Sequence, residues 1–403
     1  MQTQPRGYET VVRLLDKGVA IPNPLSLDIG PEVDPDRISG DGVTIYPGCR
    51  IYGPKTVVSA GVRLGAEGPV TLDDCRLGPR VDLRGGYFKG AVFLAGANMG
   101  LGAHVREGTL LEEEANGAHC VGLKQTILFP FVTLGSLINF CDCLMAGGTS
   151  RNDHSEVGSS YIHFNFTPDG DKTTASLFGD VPRGVMLDQP PIFLGGQGGA
   201  VGPLRVGYGT VVAAGSILRA DVPEDGAFVI PAPAGERRRP VTPHAYRQLP
   251  RIVANNVVYL ANLAALRRWY RHVRRPFFEA QELGPLVYDG ALEMLALAVR
   301  ERAKRLEAMV ERVSPDDQAR TELRARIGDV CSLFEKAGEP GPDDLPAVLA
   351  EALGRSNAEY VATIRALPAD ARAAGVQWLR QTIDSLCGRA GALLPSMDLF
   401  AGD

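Results

Sequence analysis

From Ile38 onward an aliphatic residue returns near every sixth position, as Ile38, Ile45, Ile51, Val57 and Leu64, and again late in the run as Val206, Val212 and Leu218. Glycine often follows directly, in pairs such as Leu64-Gly65, Leu77-Gly78, Met99-Gly100, Val121-Gly122, Val157-Gly158 and Leu194-Gly195. A helix does not tolerate glycine and proline at this density. A solenoid coil of three short flat strands does. Its aliphatic side chains point inward and stack on the next coil. Its corners need small side chains or positive φ, which glycine supplies at no steric cost. The pattern predicts an all-β left-handed parallel β-helix of hexapeptide repeats over residues 38–230, after a lead-in at 1–37.

The period fits poorly at Gly85–Val92 and Glu112–Ala118, and Ser159–Gly184 is long, polar and irregular. Segments of that last kind loop out of a solenoid, and long ordered loops on rigid scaffolds are where sites collect. Residues 231–250, rich in proline, glycine and charge, read as a linker. Beyond it Val253, Val257, Leu260, Leu263, Leu266 and Tyr270 recur at helical spacing. The texture predicts a separate all-α helical domain at 251–403. Its first amphipathic helix spans 251–273 and stops at Pro276. Further helices are expected near 286–313, 316–337, 343–353, 356–366 and 369–392, with their apolar stripes, Trp269 and Tyr270 included, serving as core.

Composition adds three restrictions. The 403 residues carry 47 glycines, mostly before residue 236, which agrees with two architectures in one chain. A formal net charge of −5 gives no support to a nucleic-acid surface. The local run Arg267, Arg268, Arg271, His272, Arg274 and Arg275 reads either as a solvated helix face or as an anion or partner site. The 7 cysteines are odd in number and dispersed, the start is charged without an apolar core, and no stretch of 18 apolar residues occurs. These features lead to the expectation of a cytoplasmic protein with reduced thiols and no membrane span.

The densest polar constellation runs from Asn139 to Arg183 and holds 2 of the 6 histidines. His154, beside Asp153 and Glu156, is a candidate general base for an attacking amine or hydroxyl. His163 lies in the alternating stretch Ile162-His163-Phe164-Asn165-Phe166, so it shares the polar face of a strand with Asn165 as a catalytic or substrate-binding candidate. Arg151 is a candidate for bidentate phosphate contacts, and Lys172, after Asp169-Gly170-Asp171, for a point-charge contact. Asn139 and Arg183 close the set as binding candidates. Cys141-x-Cys143 lacks partners at zinc spacing and reads as small buried side chains. His104, His119, His154 and His163 do not match the spacing of solenoid zinc hydratases, so no metal is expected.

Several motifs here carry a resemblance. Ser155-Glu156-Val157-Gly158, then Asn165-Phe166-Thr167-Pro168-Asp169-Gly170-Asp171-Lys172-Thr173, then Gly179-Asp180 resemble the acetyltransferase half of bifunctional N-acetylglucosamine-1-phosphate uridyltransferases. Val206-Gly207-Tyr208-Gly209 through Ala214-Gly215-Ser216 resembles that family's closing coil. The whole chain is similar to bacterial proteins labelled UDP-N-acetylglucosamine pyrophosphorylase. The resemblance implies that Asn165 and Phe166 contact sugar phosphate and acyl donor, that Lys172 helps bind, and that an upstream histidine, here His154, is the base. The separation from His154 to Asn165 is shorter than in the family. Leu144–Arg151 superficially resembles the glycine-rich nucleotide loop of pyrophosphorylases, but it lies mid-solenoid without the flanking elements.

Three readings follow. The first is a homotrimeric transferase acting on a sugar phosphate or nucleotide sugar, with acyl-CoA (acetyl-CoA) as co-substrate and its site between neighbouring solenoids. The second is a non-catalytic sugar-nucleotide-binding or scaffold protein. The third is nucleotidyl transfer, for which no carboxylate pair on a nucleotide fold is evident.

Overall fold

The computed structural model describes residues 6–163, 172–232, 235–236, 238, 240, 242–336, 345–355 and 359–400. The aliphatic ladder does what its period predicts. It winds a left-handed parallel β-solenoid of about 11 coils, and helices follow it. The coils lay short strands along three faces, and Val121–Leu128 and Ile138–Met145 each run along two of them. One sheet of 10 strands forms the first face, and a sheet of 16 strands folds around an edge to form the other two. Register is exact from coil to coil, with Leu64 over Leu83, Met99 over Gly117 and Leu134 over Val157.

The solenoid starts earlier than the hexad pattern indicates. Strand Asp28–Ile29 already pairs with Arg50–Ile51, and Ala20 bridges Thr44. Helix α1 (Tyr8–Asp16) buries Val11 and Leu14, closing an end that would expose the core. Neither expected break at 85–92 nor that at 112–118 occurs. Strands Gly86–Lys89, Ala91–Phe93 and Asn116–Gly117 stay in register, with smaller or bulkier residues than usual in the aliphatic positions. Insertions among the described residues come later. They include an antiparallel hairpin of Gly148–Ser150 with Asp153–His154 and a turn of helix α2 (Val181–Gly184).

One solenoid face differs from the others. Its strands Ala91–Phe93, Thr109–Leu111 and Ser176–Phe178 are buried at every position, and Cys143–Met145 is too. A strand buried on both sides carries a continuous apolar run rather than an alternating one. The helices cover this face. Helix α3 (Leu249–Trp269) and α4 (Arg275–Glu279) flank a π-helical turn at Tyr270–Arg274. Then come α5 (Gly284–Val310), α6 (Gln318–Lys336), α7 (Ala347–Gly354), α8 (Tyr360–Arg365) and α9 (Ala369–Leu393). Helix α5 lies on Arg76–Leu77, Ala91–Phe93 and Thr109–Leu111, and α3 on Ser176–Phe178. A single apolar core runs through solenoid and helices, so the expected separate helical domain is a layer of the same body.

Two local expectations change with it. Helix α3 is buried nearly all round, sandwiched between solenoid, α5 and α9, so it is not amphipathic. Leu249–Glu279 is long and apolar enough to cross a membrane by length and composition, yet 78% of its apolar window is buried inside the fold. Pro276 does not stop the helix. The π turn before it removes the backbone bond that the proline ring would clash with, and Pro276 opens the next helical segment.

Candidate functional site

The helical layer spans one face and grips the two edges that bound it. Call them the cationic edge, around Gln125 and Asp142, and the hairpin edge, around Phe131 and the 148–154 hairpin. The polar residues singled out from the sequence divide between these edges.

On the cationic edge, strands Val121–Leu128 and Ile138–Met145 lie side by side, pairing Gly122 with Asn139 and Lys124 with Cys141. Alternation turns Gly122, Lys124, Asn139 and Cys141 outward. Gly122 opens space beside Asn139, since a Cβ there would reach nothing nearer than the Asn139 amide oxygen at 3.5 Å. Arg106 stands one coil away from Lys124, its backbone N–H donating to the Leu123 carbonyl and its guanidinium 3.8 Å from Glu107. Both cations act on the Cys141 thiol, but burial, with Asp142 second, pushes it up to about 11, so it is no nucleophile. The exposed Lys172 comes to this edge as well: its carbonyl and the Asp142 carboxylate are both held by Arg302 of α5, at 2.8 and 2.7 Å. Arg106 and Lys124 were not among the sequence candidates. The signal for them was present in the outward-facing positions of consecutive coils.

His163 is on the same edge but not as the alternation predicts. Its backbone turns into the left-handed region, φ +59°, which ends the strand and swings the ring inward to 7% exposure. Nδ1–H donates to the Cys141 carbonyl at 2.7 Å, and Ser176 Oγ–H donates to Nε2 at 2.7 Å. Burial, the largest cause, drives its pKa down to about 4. Gly202 is required opposite, because a Cβ would lie 2.6 Å from Nε2. With both nitrogens occupied, His163 props the corner and has nothing to offer a substrate, which corrects its catalytic assignment. Asn165 and Phe166 lie outside the described residues.

On the hairpin edge, His154 is half-buried and its Nδ1–H donates to the Arg151 carbonyl at 2.8 Å. That bond selects the tautomer whose Nε2 is an open acceptor, the form a general base needs. One nitrogen of Arg151 is already engaged. Its Nη1 points at the carbonyls of Glu114 (3.0 Å) and Phe131 (2.8 Å) and at Thr133 Oγ1 (3.0 Å), so it braces the hairpin against earlier coils. Arg183, on α2, is taken up by Asp180 (2.6 Å) and Asp225 (2.5 Å) and stacks over Tyr208. It lines a cleft of about 260 Å³ with Asp180, Asn262 and Arg380.

Also at this edge, Arg274 is 1% exposed between Glu112 and Glu113, with its guanidinium over the rings of Tyr360, Tyr270 and Phe278. Burial pushes Glu112 up to about 7, against the pull of Arg274. Neither reading of the basic run as a solvated face or an open anion site holds for Arg274, which clasps helix to solenoid. Among the described residues, no group of three or more histidine, cysteine or acidic side chains is placed to hold a metal.

The fold and these edges define a hexapeptide solenoid with a cationic margin and a covering helical layer. No family model matches the chain. It is similar to curated proteins named bifunctional protein GlmU: 29% identical over 209 residues to that of Clavibacter sepedonicus, 27% over 227 to that of Pelobacter propionicus, and 28% over 244 to that of Kineococcus radiotolerans. These matches cover 50%, 56% and 59% of this chain and only 38%, 44% and 44% of the relatives. The resemblance read from the sequence motifs is therefore found again across about half the chain.

Proposed function

We propose that this protein transfers an acyl group from acyl-CoA to the amine or hydroxyl of a sugar phosphate or nucleotide sugar. The observation that carries this reading is the cationic edge, where Lys124 lies beside Cys141, Arg106 is within electrostatic reach of the same thiol, and the exposed Lys172 is tied by its carbonyl to the Arg302 that also holds Asp142. Cations in a shallow polar margin suit a phosphate. The similarity to proteins named bifunctional GlmU supports the same substrate class.

In the reaction the substrate nitrogen or oxygen attacks the thioester carbonyl, the C–S bond breaks, and CoA leaves as its thiol. His154 Nε2 takes the proton from the attacking atom. His154 and Lys172 sit on different edges of one prism, so in this reading the centre is shared. The cationic edge of one solenoid meets the hairpin edge of the next in a homotrimer, in a cytoplasmic setting.

The test is acetyl transfer from acetyl-CoA to glucosamine 1-phosphate by the full chain. His154→Gln is expected to lower kcat by about 10²–10⁴-fold, the usual worth of a general base. Lys124→Ala is expected to raise KM with little change in kcat. Full transfer by His154→Gln removes the base assignment. A second reading, a non-catalytic sugar-nucleotide-binding scaffold, is favoured by the separation of the two edges. UDP-N-acetylglucosamine binding without any acetyl-CoA binding in calorimetry would select it.

A further inference from the structure

The helical layer has no counterpart in the solenoid motifs, and it reaches the solenoid through several buried polar side chains. Helix α3 buries Asn255 and Asn256, and α5 buries Arg302 at 3% exposure. Buried polar groups are costly unless satisfied, so where they aim is informative. These three aim at corners of the cationic edge, whereas Asn262 of α3 accepts from the Val181 N–H and Arg274 enters the hairpin edge. Arg302 Nη2 donates to Asp142 Oδ1 at 2.7 Å and Nη1 to the Lys172 carbonyl at 2.8 Å. Asn256 Nδ2 donates to the Thr173 carbonyl at 3.2 Å, and Thr174 Oγ1 donates to Asp142 Oδ2 at 3.2 Å. Asn255 and Arg251 hold Asp221 and the Pro203 carbonyl of the coils that follow.

Lys172 is where this matters. It is exposed and its backbone is left-handed, φ +54°, a conformation that a non-glycine residue keeps only when its surroundings hold it. The described holder is Arg302. Asp142, fixed by the same guanidinium, lies between the outward Cys141 and the buried Cys143 and so sets the edge beside Lys124 and Asn139.

We propose that Arg302 is a positioning residue for the phosphate-binding edge, and that the helical layer acts as a collar fixing Lys172 and Asp142 in binding geometry. This rests on the reading of the cationic edge given above. Arg302 touches no substrate and acts through Lys172 and Asp142.

A control lies on the same helix. Glu293 of α5 also ties the layer to the solenoid, through Lys55 and Arg76, far along the face from Lys172. The experiment compares Arg302→Met, Arg302→Lys and Glu293→Gln in the full chain. It measures calorimetric affinity for glucosamine 1-phosphate and UDP-N-acetylglucosamine, and hydrogen exchange at 172–178. Arg302→Met leaves Asp142 without its partner, so the double variant Arg302→Met with Asp142→Asn is included to keep the fold free of an unpaired, half-buried charge.

The collar predicts at least about a 10-fold loss of affinity in Arg302→Met and in the double variant. Faster exchange confined to 172–178 and partial rescue by Arg302→Lys accompany it, with affinity within about 2-fold of the parent in Glu293→Gln. Equal losses in Arg302→Met and Glu293→Gln would mean general loosening and overturn it. Unchanged affinity in the double variant, with the parent still binding, overturns the positioning role alone. A parent chain that binds neither ligand sinks the cationic-edge reading and the collar together.

Discussion

Two buried arginines reach from the helical layer to the solenoid, and their surroundings differ. Arg274 enters the hairpin edge, where three aromatic rings enclose it and Glu112 and Glu113 take its charge. Arg302 enters the cationic edge, where it holds one carboxylate and one carbonyl beside exposed Lys172. The first is spent within the core, because the three rings and Glu112 around it are buried and Glu113 is largely so. The second holds groups that face outward. Burial alone therefore does not separate a structural arginine from one that shapes a site; the exposure of what it holds does.

The largest expected effect tests the structural member of this pair. Arg274→Met leaves buried Glu112 and its neighbour Glu113 without their partner and is expected to lower stability by about 3–5 kcal/mol, measured by urea unfolding. A loss under about 1 kcal/mol would show that the clasp is not structural.

A pH experiment separates the edges next. His163 at the cationic edge is held at about 4, below its unfolded value near 6.5. Between these values the unfolded chain binds a proton that the folded chain refuses. Its contribution is whole above about pH 6.5 and is lost as pH falls towards 4, by up to about 3 kcal/mol. Glu112 works in the opposite sense, its contribution falling as pH rises from about 4.5 through 7. Unfolding midpoints at pH 7.5 and 5.0 are therefore compared between the parent and His163→Gln. The variant should lose less stability on acidification; parallel slopes would refute the assignment.

The smallest effect belongs to Arg151. Arg151→Met removes its bonds to Glu114, Phe131 and Thr133 and should cost about 1–2 kcal/mol. Hydrogen exchange should quicken at 148–155 and not at 172–174. Coupled change at both segments would mean that the edges are one unit.

Much of this was legible along the chain. The coil period, the helix spans and the crowding of chemistry between Asn139 and Arg183 follow from local spacing. Arg106 and Lys124 were legible too, as outward positions one coil apart, but only once the register was known. His163 was misjudged because alternation assumes a continuing strand, and a positive φ reverses the ring. The bracing role of Arg151 could not be read from spacing, because its partners, the carbonyls of Glu114 and Phe131, belong to preceding coils.

The sequence by itself determined the solenoid and the helices, because coil and helix periods are properties of neighbouring residues and their steric limits. The tertiary structure decided which solenoid face is covered, which histidine is open and which arginines are spent. Those outcomes depend on groups 20 to 160 residues apart, as for Arg302 and Asp142, and they meet only after the coils stack and the helical layer closes over them.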